Sequence, residues 1–225
     1  MLKKNDFIEL EFLAKVKDGQ IFDTNIKEKA KELGVEDTKP LKVCIGEGMV
    51  LKGFDKDLEG KEIGKSYEIE LNPKDAFGAR NPSLVKIMPI SVFLEKEINP
   101  YPGLVLNLDG IIARISSVSG GRVLIDFNNP LAGKTVIYEF KILKKIDDAK
   151  EKLAVLSEYF LNTDKFELNG TKAVFSGSFS KKAFELFSKK VKDILNIDAE
   201  SNDGKKAKGE DKESKQVDGI KSSKA

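Results

Sequence analysis

Histidine and tryptophan are absent from the 225 residues, and cysteine occurs once, at Cys44. Without histidine there is no Ser–His or Cys–His nucleophile pair, and the commonest metal ligand is missing. One cysteine excludes an internal disulfide, and a zinc site would have to rest on carboxylates. The expectation is therefore no metal and no other cofactor. No apolar run approaches the length of a membrane span, and Met1-Leu2-Lys3-Lys4-Asn5-Asp6 is not a signal peptide. That pattern predicts a cytoplasmic protein with no membrane partner. Lys and Arg (39) nearly balance Asp and Glu (37), so no electrostatic footprint of nucleic-acid binding is present. Gly46-x-Gly48 lacks the third glycine and the βαβ context of a nucleotide loop.

What is present is a chain with 40% apolar and 34% charged residues, enough for a sizeable core under a charged surface. Ile8, Leu10, Phe12 and Ala14 alternate with Glu9, Glu11 and Lys15, which predicts a half-buried strand ending at Asp18-Gly19. Ile21-Phe22-Asp23 is a second short strand, and Ile26, Ala30 and Leu33 have helical spacing closed by Gly34. Leu41, Val43 and Ile45 alternate around Lys42 and Cys44, and the thiol reads as structural. Val50, Leu51, Phe54 and Leu58 mark a short amphipathic helix, and Tyr67, Ile69 and Leu71 another strand. This predicts an α+β fold, an antiparallel sheet packed on a short helix.

A loop from 72 to 82 leads to a second β-rich block. Leu104 to Leu108, Ile111 to Val118 and Val123 to Phe127 are joined by Asp109-Gly110 and Ser119-Gly120-Gly121 turns. Val136 to Leu143 then reads as a strand returning to the first sheet. The expected division is 1–82 with 129–146, an inserted small β-rich domain at 83–128, a C-terminal domain at 147–197, and a disordered tail from 198 to 225. The C-terminal part reads as a helix, a hairpin at Asn169-Gly170, and a second helix capped by Ser180. At about fifty residues it is marginal alone. It is expected to dock on something, a second copy being the simplest candidate, which makes a homodimer possible.

Four stretches stand in a recognisable order: Asp18-Gly19-Gln20-Ile21-Phe22-Asp23-Thr24; residues 45–60, with Gly46-Glu47-Gly48 and Lys52-Gly53-Phe54; Asp75-Ala76-Phe77-Gly78; and Asn129-Pro130-Leu131-Ala132-Gly133. Across roughly residues 5–146 the chain resembles the FKBP-type peptidyl-prolyl cis/trans isomerases, in the SlyD-like branch with an insert-in-flap chaperone domain, of the archaeal long type. The resemblance implies an apolar cup walled by Phe12, Phe22, Leu41, Phe77 and Tyr138. Phe54 would be its floor and Asp23 its one charged group, with Val50 and Leu51 as a rim whose backbone holds substrate. It also implies that the inserted block captures unfolded, proline-containing polypeptides, with Ile87, Met88, Val92, Phe93, Leu104, Val105, Leu106 and Ile111 as the contact set. The sequence departs from the family at Phe77, where tyrosine is usual, at Phe54 in place of tryptophan, and at Asn129 in place of histidine. The metal-binding His/Cys tail of many relatives is missing.

Singly, each residue has a plainer reading. Phe12, Phe54 and Tyr138 could be ordinary core, Val50 and Leu51 could start a helix, and Asp23 could cap a turn. Phe77 leaves room for an alternative function, a holdase chaperone with little isomerase activity.

Overall fold

The computed structural model describes residues 1–108 and 110–202. These fall into two compact units, one formed by Met1–Ala76 with Lys134–Asn202, the other by Phe77–Gly133.

The first unit opens with β1 (Phe7–Val16), β2 (Ile21–Thr24), α1 (Lys27–Glu32), β3 (Leu41–Cys44), α2 (Lys52–Leu58) and β4 (Ser66–Leu71). The alternation read in the sequence holds along β1: Ile8, Leu10, Phe12 and Ala14 are buried, while Glu9 and Glu11 keep solvent contact. β2 and β3 share one edge of β1, pairing with its second and first halves respectively. Gly53 is where α2 presses on the rest of the unit. A Cβ there would stand 2.6 Å from Leu71 and 2.9 Å from Asp75, closer than packed atoms approach, so glycine is required.

The second unit contains β5 (Val85–Pro89), α3 (Ser91–Leu94), β6 (Val105–Leu108), β7 (Ile111–Ser119) and β8 (Arg122–Asp126). Its antiparallel sheet has the order β5-β8-β7-β6 over a core of Phe93, Ile98, Leu106, Ala113, Ile115, Val123 and Ile125. β5 and α3 escape sequence reading because Pro89 and the shortness of both elements blur their periodicity. Of the Asp109-Gly110 turn expected between β6 and β7, Asp109 lies outside the described residues. The unit is longer than the expected 83–128, because its two connections bond to each other. Asn81 N–H donates to Asn128 Oδ1 (2.8 Å), the Asn128 amide donates to Asn81 O (3.0 Å), and Gly133 N–H donates to Gly78 O (2.8 Å).

The chain then returns to the first unit as β9 (Val136–Ile146), followed by α4 (Ala149–Leu161), β10 (Phe166–Asn169), β11 (Lys172–Phe175), α5 (Lys181–Leu195) and β12 (Asp198–Ser201). β9 pairs antiparallel with both β1 and β4, so the first sheet runs β2-β1-β9-β4 with β3 also on β1. Asp148 caps α4 by accepting from Glu151 N–H, and Ser180 caps α5 by accepting from Ala183 N–H. Asp198–Ser201, expected as the start of the tail, instead adds a parallel strand to β11, with Asp198 N–H held by Thr171 O. The remainder of that expected tail, from 203, lies outside the described residues.

Part of the apolar surface of the C-terminal segment docks on the first sheet of the same chain. Phe7, Cys44 and Ile146 from the first sheet join Leu153, Leu156, Ala173, Phe175, Phe187 and Val191 in one buried cluster. Phe7 is thus buried on the face of β1 opposite Ile8, and the sheet end is covered on both sides. Burial pushes the Cys44 thiol up to about 12, helped by Glu47 and Asp55, so it stays neutral and unreactive. No helix among the described residues is long and apolar enough to cross a membrane.

Because Phe7 belongs to the shared core, Phe7→Ala should cost about 3–5 kcal/mol. Urea unfolding followed by circular dichroism should show the sheet and the C-terminal helices losing stability together. Loss from the helices alone would contradict a shared core.

Candidate active site

β1 is the backbone on which the site is built. In register, Ala14 lies between Asp23 on β2 and Tyr138 on β9. Ala14 is fully buried and carries only a methyl group, so the two larger side chains flanking it can meet above it. The β1–β2 pairing steps from Ala14↔Asp23 to Lys15↔Ile21, which makes Phe22 the extra residue of a bulge. A bulge re-aims side chains that strict alternation would send to opposite faces. Phe22 and Asp23, neighbours in sequence, accordingly both act on Tyr138.

Tyr138 is the hub. Its ring centroid lies 4.9 Å from Phe54, 5.8 Å from Phe12 and 6.2 Å from Phe22, the last in an edge-on contact. Each such pair contributes about 0.5–1.5 kcal/mol beyond its area burial. Phe54 is fully buried on α2 and also meets Phe140 edge-on at 4.8 Å. Desolvation pushes the Tyr138 phenol up to about 12, and the nearby Asp23 charge adds to the shift. The hydroxyl is therefore a neutral donor throughout the ordinary pH range. Asp23 keeps an exposed edge, yet partial desolvation raises its carboxyl above the usual value, against one backbone hydrogen bond from Thr24 that lowers it.

Phe12 is held by main-chain bonds from the two residues after Asp23. Asn25 Oδ1 accepts from Phe12 N–H (2.7 Å), while Thr24 Oγ1 donates to Phe12 O (2.7 Å). The Asn25 amide also donates to Leu10 O and Lys39 O. Neither supporting role was read from the sequence, although a Thr-Asn pair just after a short strand is a recognisable turn signal. Asp55 was missed too. Its buried carboxylate accepts from Gly46 N–H (2.8 Å) and Gly48 N–H (2.9 Å), fixing the turn before α2.

Phe12, Phe22, Asp23, Phe54 and Tyr138 are thus brought together. Val50 and Leu51 are half-buried at the start of α2 and line a shallow depression with the Gly46–Gly48 turn. Leu41 pairs with Leu10 on β1, which puts it on the face of the sheet that carries Phe12 and Ala14. It also lines a cleft of about 780 Å³ with Met49, Val155 and Tyr159. Phe77 is half-buried at the beginning of the second unit. In that unit, Phe93 and Leu106 are core residues, at 1% and 5% exposure, and do not belong to a contact surface as expected. Met88, Val92 and Leu104 are half-buried and pack against the same core. Ile87, Val105 and Ile111 are more than half exposed, as are Leu94, Tyr101 and Ile112 beside them.

A family model described as FKBP-type peptidyl-prolyl cis-trans isomerase matches residues 1–94, and one described as FKBP26, IF domain, matches residues 86–131. A short-type peptidyl-prolyl cis-trans isomerase of Methanocaldococcus jannaschii is 30% identical over 146 residues, covering 63% of this chain and 92% of that protein. The FKBP-type 16 kDa isomerase of Escherichia coli is 30% identical over 118 residues, covering 50% of this chain and 78% of its own. SlyD of Helicobacter pylori is 32% identical over 109 residues, covering 47% and 58%. The chain belongs to the FKBP-type peptidyl-prolyl cis-trans isomerase family, and it is an enzyme of that class.

A carboxyl raised by desolvation is a group whose ionisation the folded state disfavours. Above the raised value the folded protein carries a penalty that lessens as pH falls and the group protonates. Asp23→Asn should therefore raise the thermal midpoint at neutral pH by a small margin while slowing prolyl isomerisation. Calorimetry with a tetrapeptide assay checks both. A lower midpoint at pH 7 would contradict the desolvated placement of Asp23.

Proposed function

We propose that Phe12, Phe22, Asp23, Phe54 and Tyr138 form the prolyl-binding cup, with Val50 and Leu51 as its rim. We further propose that the second unit holds unfolded segments so that the cup can act on them. The observation that carries this reading is the convergence of Phe12, Phe22 and Phe54 on Tyr138, with Asp23 at the edge.

Amide resonance gives the C–N bond a rotation barrier of about 18–20 kcal/mol. At X-Pro bonds the two isomers are close in energy, and exchange takes tens to hundreds of seconds. In the twisted transition state the resonance is lost, the carbonyl becomes less polar and the nitrogen regains a lone pair. A ring-lined hollow with little water favours that state over the planar, strongly dipolar ground state. No proton carrier or nucleophile is required. Asp23 acts through its field and by orienting the neighbouring rings. A neutral Tyr138 hydroxyl is available as a donor to the substrate.

The chaperone part of the reading is supported by exposed apolar side chains on the second unit. On the face of its sheet away from the core, register aligns Ile87 with Leu124, while Val105 and Ile112 lie on the same side. Ile87, Val105 and Ile112 are 65%, 57% and 52% exposed. Exposed apolar side chains on this face, set among Arg114, Asp126 and Asn107, suit transient capture of unfolded chain and raise its local concentration near the cup. The intended setting is the cytoplasm. Two chains associating through the C-terminal segment would use Leu186, 60% exposed on α5.

Two assays on the same variants test the division of labour. Substituting Ile87→Ser, Val105→Ser and Ile112→Ser together should slow catalysed refolding of a proline-limited protein roughly tenfold or more. Tetrapeptide isomerisation should be unchanged. Phe54→Ala should depress both activities. Equal loss in both assays for the triple variant would contradict a separate capture surface.

A further inference from the structure

The turn that precedes the proposed rim is gripped from both sides, and one grip comes from the C-terminal segment. Asp55 holds the amide side by accepting from Gly46 and Gly48 N–H. On the opposite, carbonyl side, the Tyr159 hydroxyl on α4 donates to Gly48 O at 2.9 Å. Lys190 on α5 forms an ion pair with Glu47, whose side chain is only 10% exposed. The same Lys190 ammonium lies 5.3 Å over the Phe160 ring, and Phe160 packs edge-on against Tyr159 at 4.9 Å. Met49, the next residue of the turn, packs against the shared C-terminal core, and its sulfur accepts from Cys44 N–H. Three consecutive residues, Glu47, Gly48 and Met49, are therefore each engaged by the C-terminal segment or its core. Val50 and Leu51 follow directly.

Such contacts do more than hold two parts of a chain together. Gly46 and Gly48 both have positive φ, so the turn consists of residues with wide conformational freedom, and its shape has to be imposed from outside. Glu47 needs Lys190, since a nearly buried carboxylate left unpaired is strongly disfavoured. α2 has no side-chain N-cap bond at Leu51, so its start relies on the preceding turn for its position.

We propose that the C-terminal segment is a positioning element of the isomerase site. Tyr159 and Lys190 fix the Glu47–Met49 turn and thereby the Val50–Leu51 backbone that receives the substrate peptide. The inference rests on the assignment of Val50 and Leu51 as the rim. It gives the C-terminal segment a role within the catalytic cycle of the same chain. Tyr159 and Lys190 touch no reacting atom. Their effect is on substrate binding, while the ring cluster that favours the twisted state is left intact.

The experiment is steady-state kinetics on a proline-containing tetrapeptide with the full-length protein and point variants. Tyr159 is half exposed, so Tyr159→Phe removes a hydroxyl without opening a cavity. Tyr159→Phe and Lys190→Met should each raise KM about two- to tenfold, the range carried by one net polar contact, with kcat within a factor of two. Lys190→Arg should restore the wild-type KM. Lys192→Ala is the control, because Lys192 on the same helix pairs with Asp198 and does not touch the turn. Amide hydrogen exchange at Met49, Val50 and Leu51 should quicken in the first two variants and not in the control. Unchanged KM and unchanged exchange in both variants would overturn the proposal, as would an equal KM rise in Lys192→Ala. If Val50 and Leu51 are not the rim, exchange quickens while KM stays constant, which separates failure of the rim assignment from failure of the clamp.

Discussion

The structure of the first unit depends on the register of one strand. β1 buries Ile8, Leu10, Phe12 and Ala14 on one face, while on the other Phe7 enters the core shared with the C-terminal helices and Glu9 and Glu11 keep solvent contact. Shifting this strand by a single residue would carry the buried set to the partly solvated face and bring Glu9 and Glu11 inside. Its register is therefore strongly specified, and so is everything paired to it. The ring cluster inherits its precision from that constraint, because Asp23, Ala14 and Tyr138 sit side by side only in this register.

The chemistry follows from what such a cluster excludes. Water is displaced by rings, the Tyr138 phenol stays neutral, and the single carboxylate at the edge resists ionisation more than a free aspartate does. An environment of this kind is poor for reactions that build charge and suitable for one that disperses it. Peptide-bond rotation is of the second type, which is why a chain without histidine can belong to an enzyme family.

Much of this arrangement was legible in the sequence. Alternation along Phe7–Val16 and Tyr67–Leu71 and the helix capped by Ser180 each correspond to an observed element, because local pattern and tertiary environment agree there. Less legible features have specific physical causes. A bulge at Phe22 carries no compositional mark. Ala14 looks like any small core residue until its two neighbours across the sheet are known. Phe93 and Leu106 are apolar like the exposed Val105 and Ile111, and register and burial separate them. The short strand at Asp198–Ser201 reads as tail because Asp, Glu and Ser have poor strand propensity, and it is held by pairing with β11.

The central claim is that a prolyl ring enters the hollow around Tyr138. Nuclear Overhauser contacts from a bound proline-containing tetrapeptide to the aromatic protons of the full-length protein test it most directly. The account predicts contacts from the proline ring to Phe54 and Tyr138, with Phe12 or Phe22 beside them. Contacts confined to Tyr159 and the cleft lined by Leu41, or to the second unit, would contradict it.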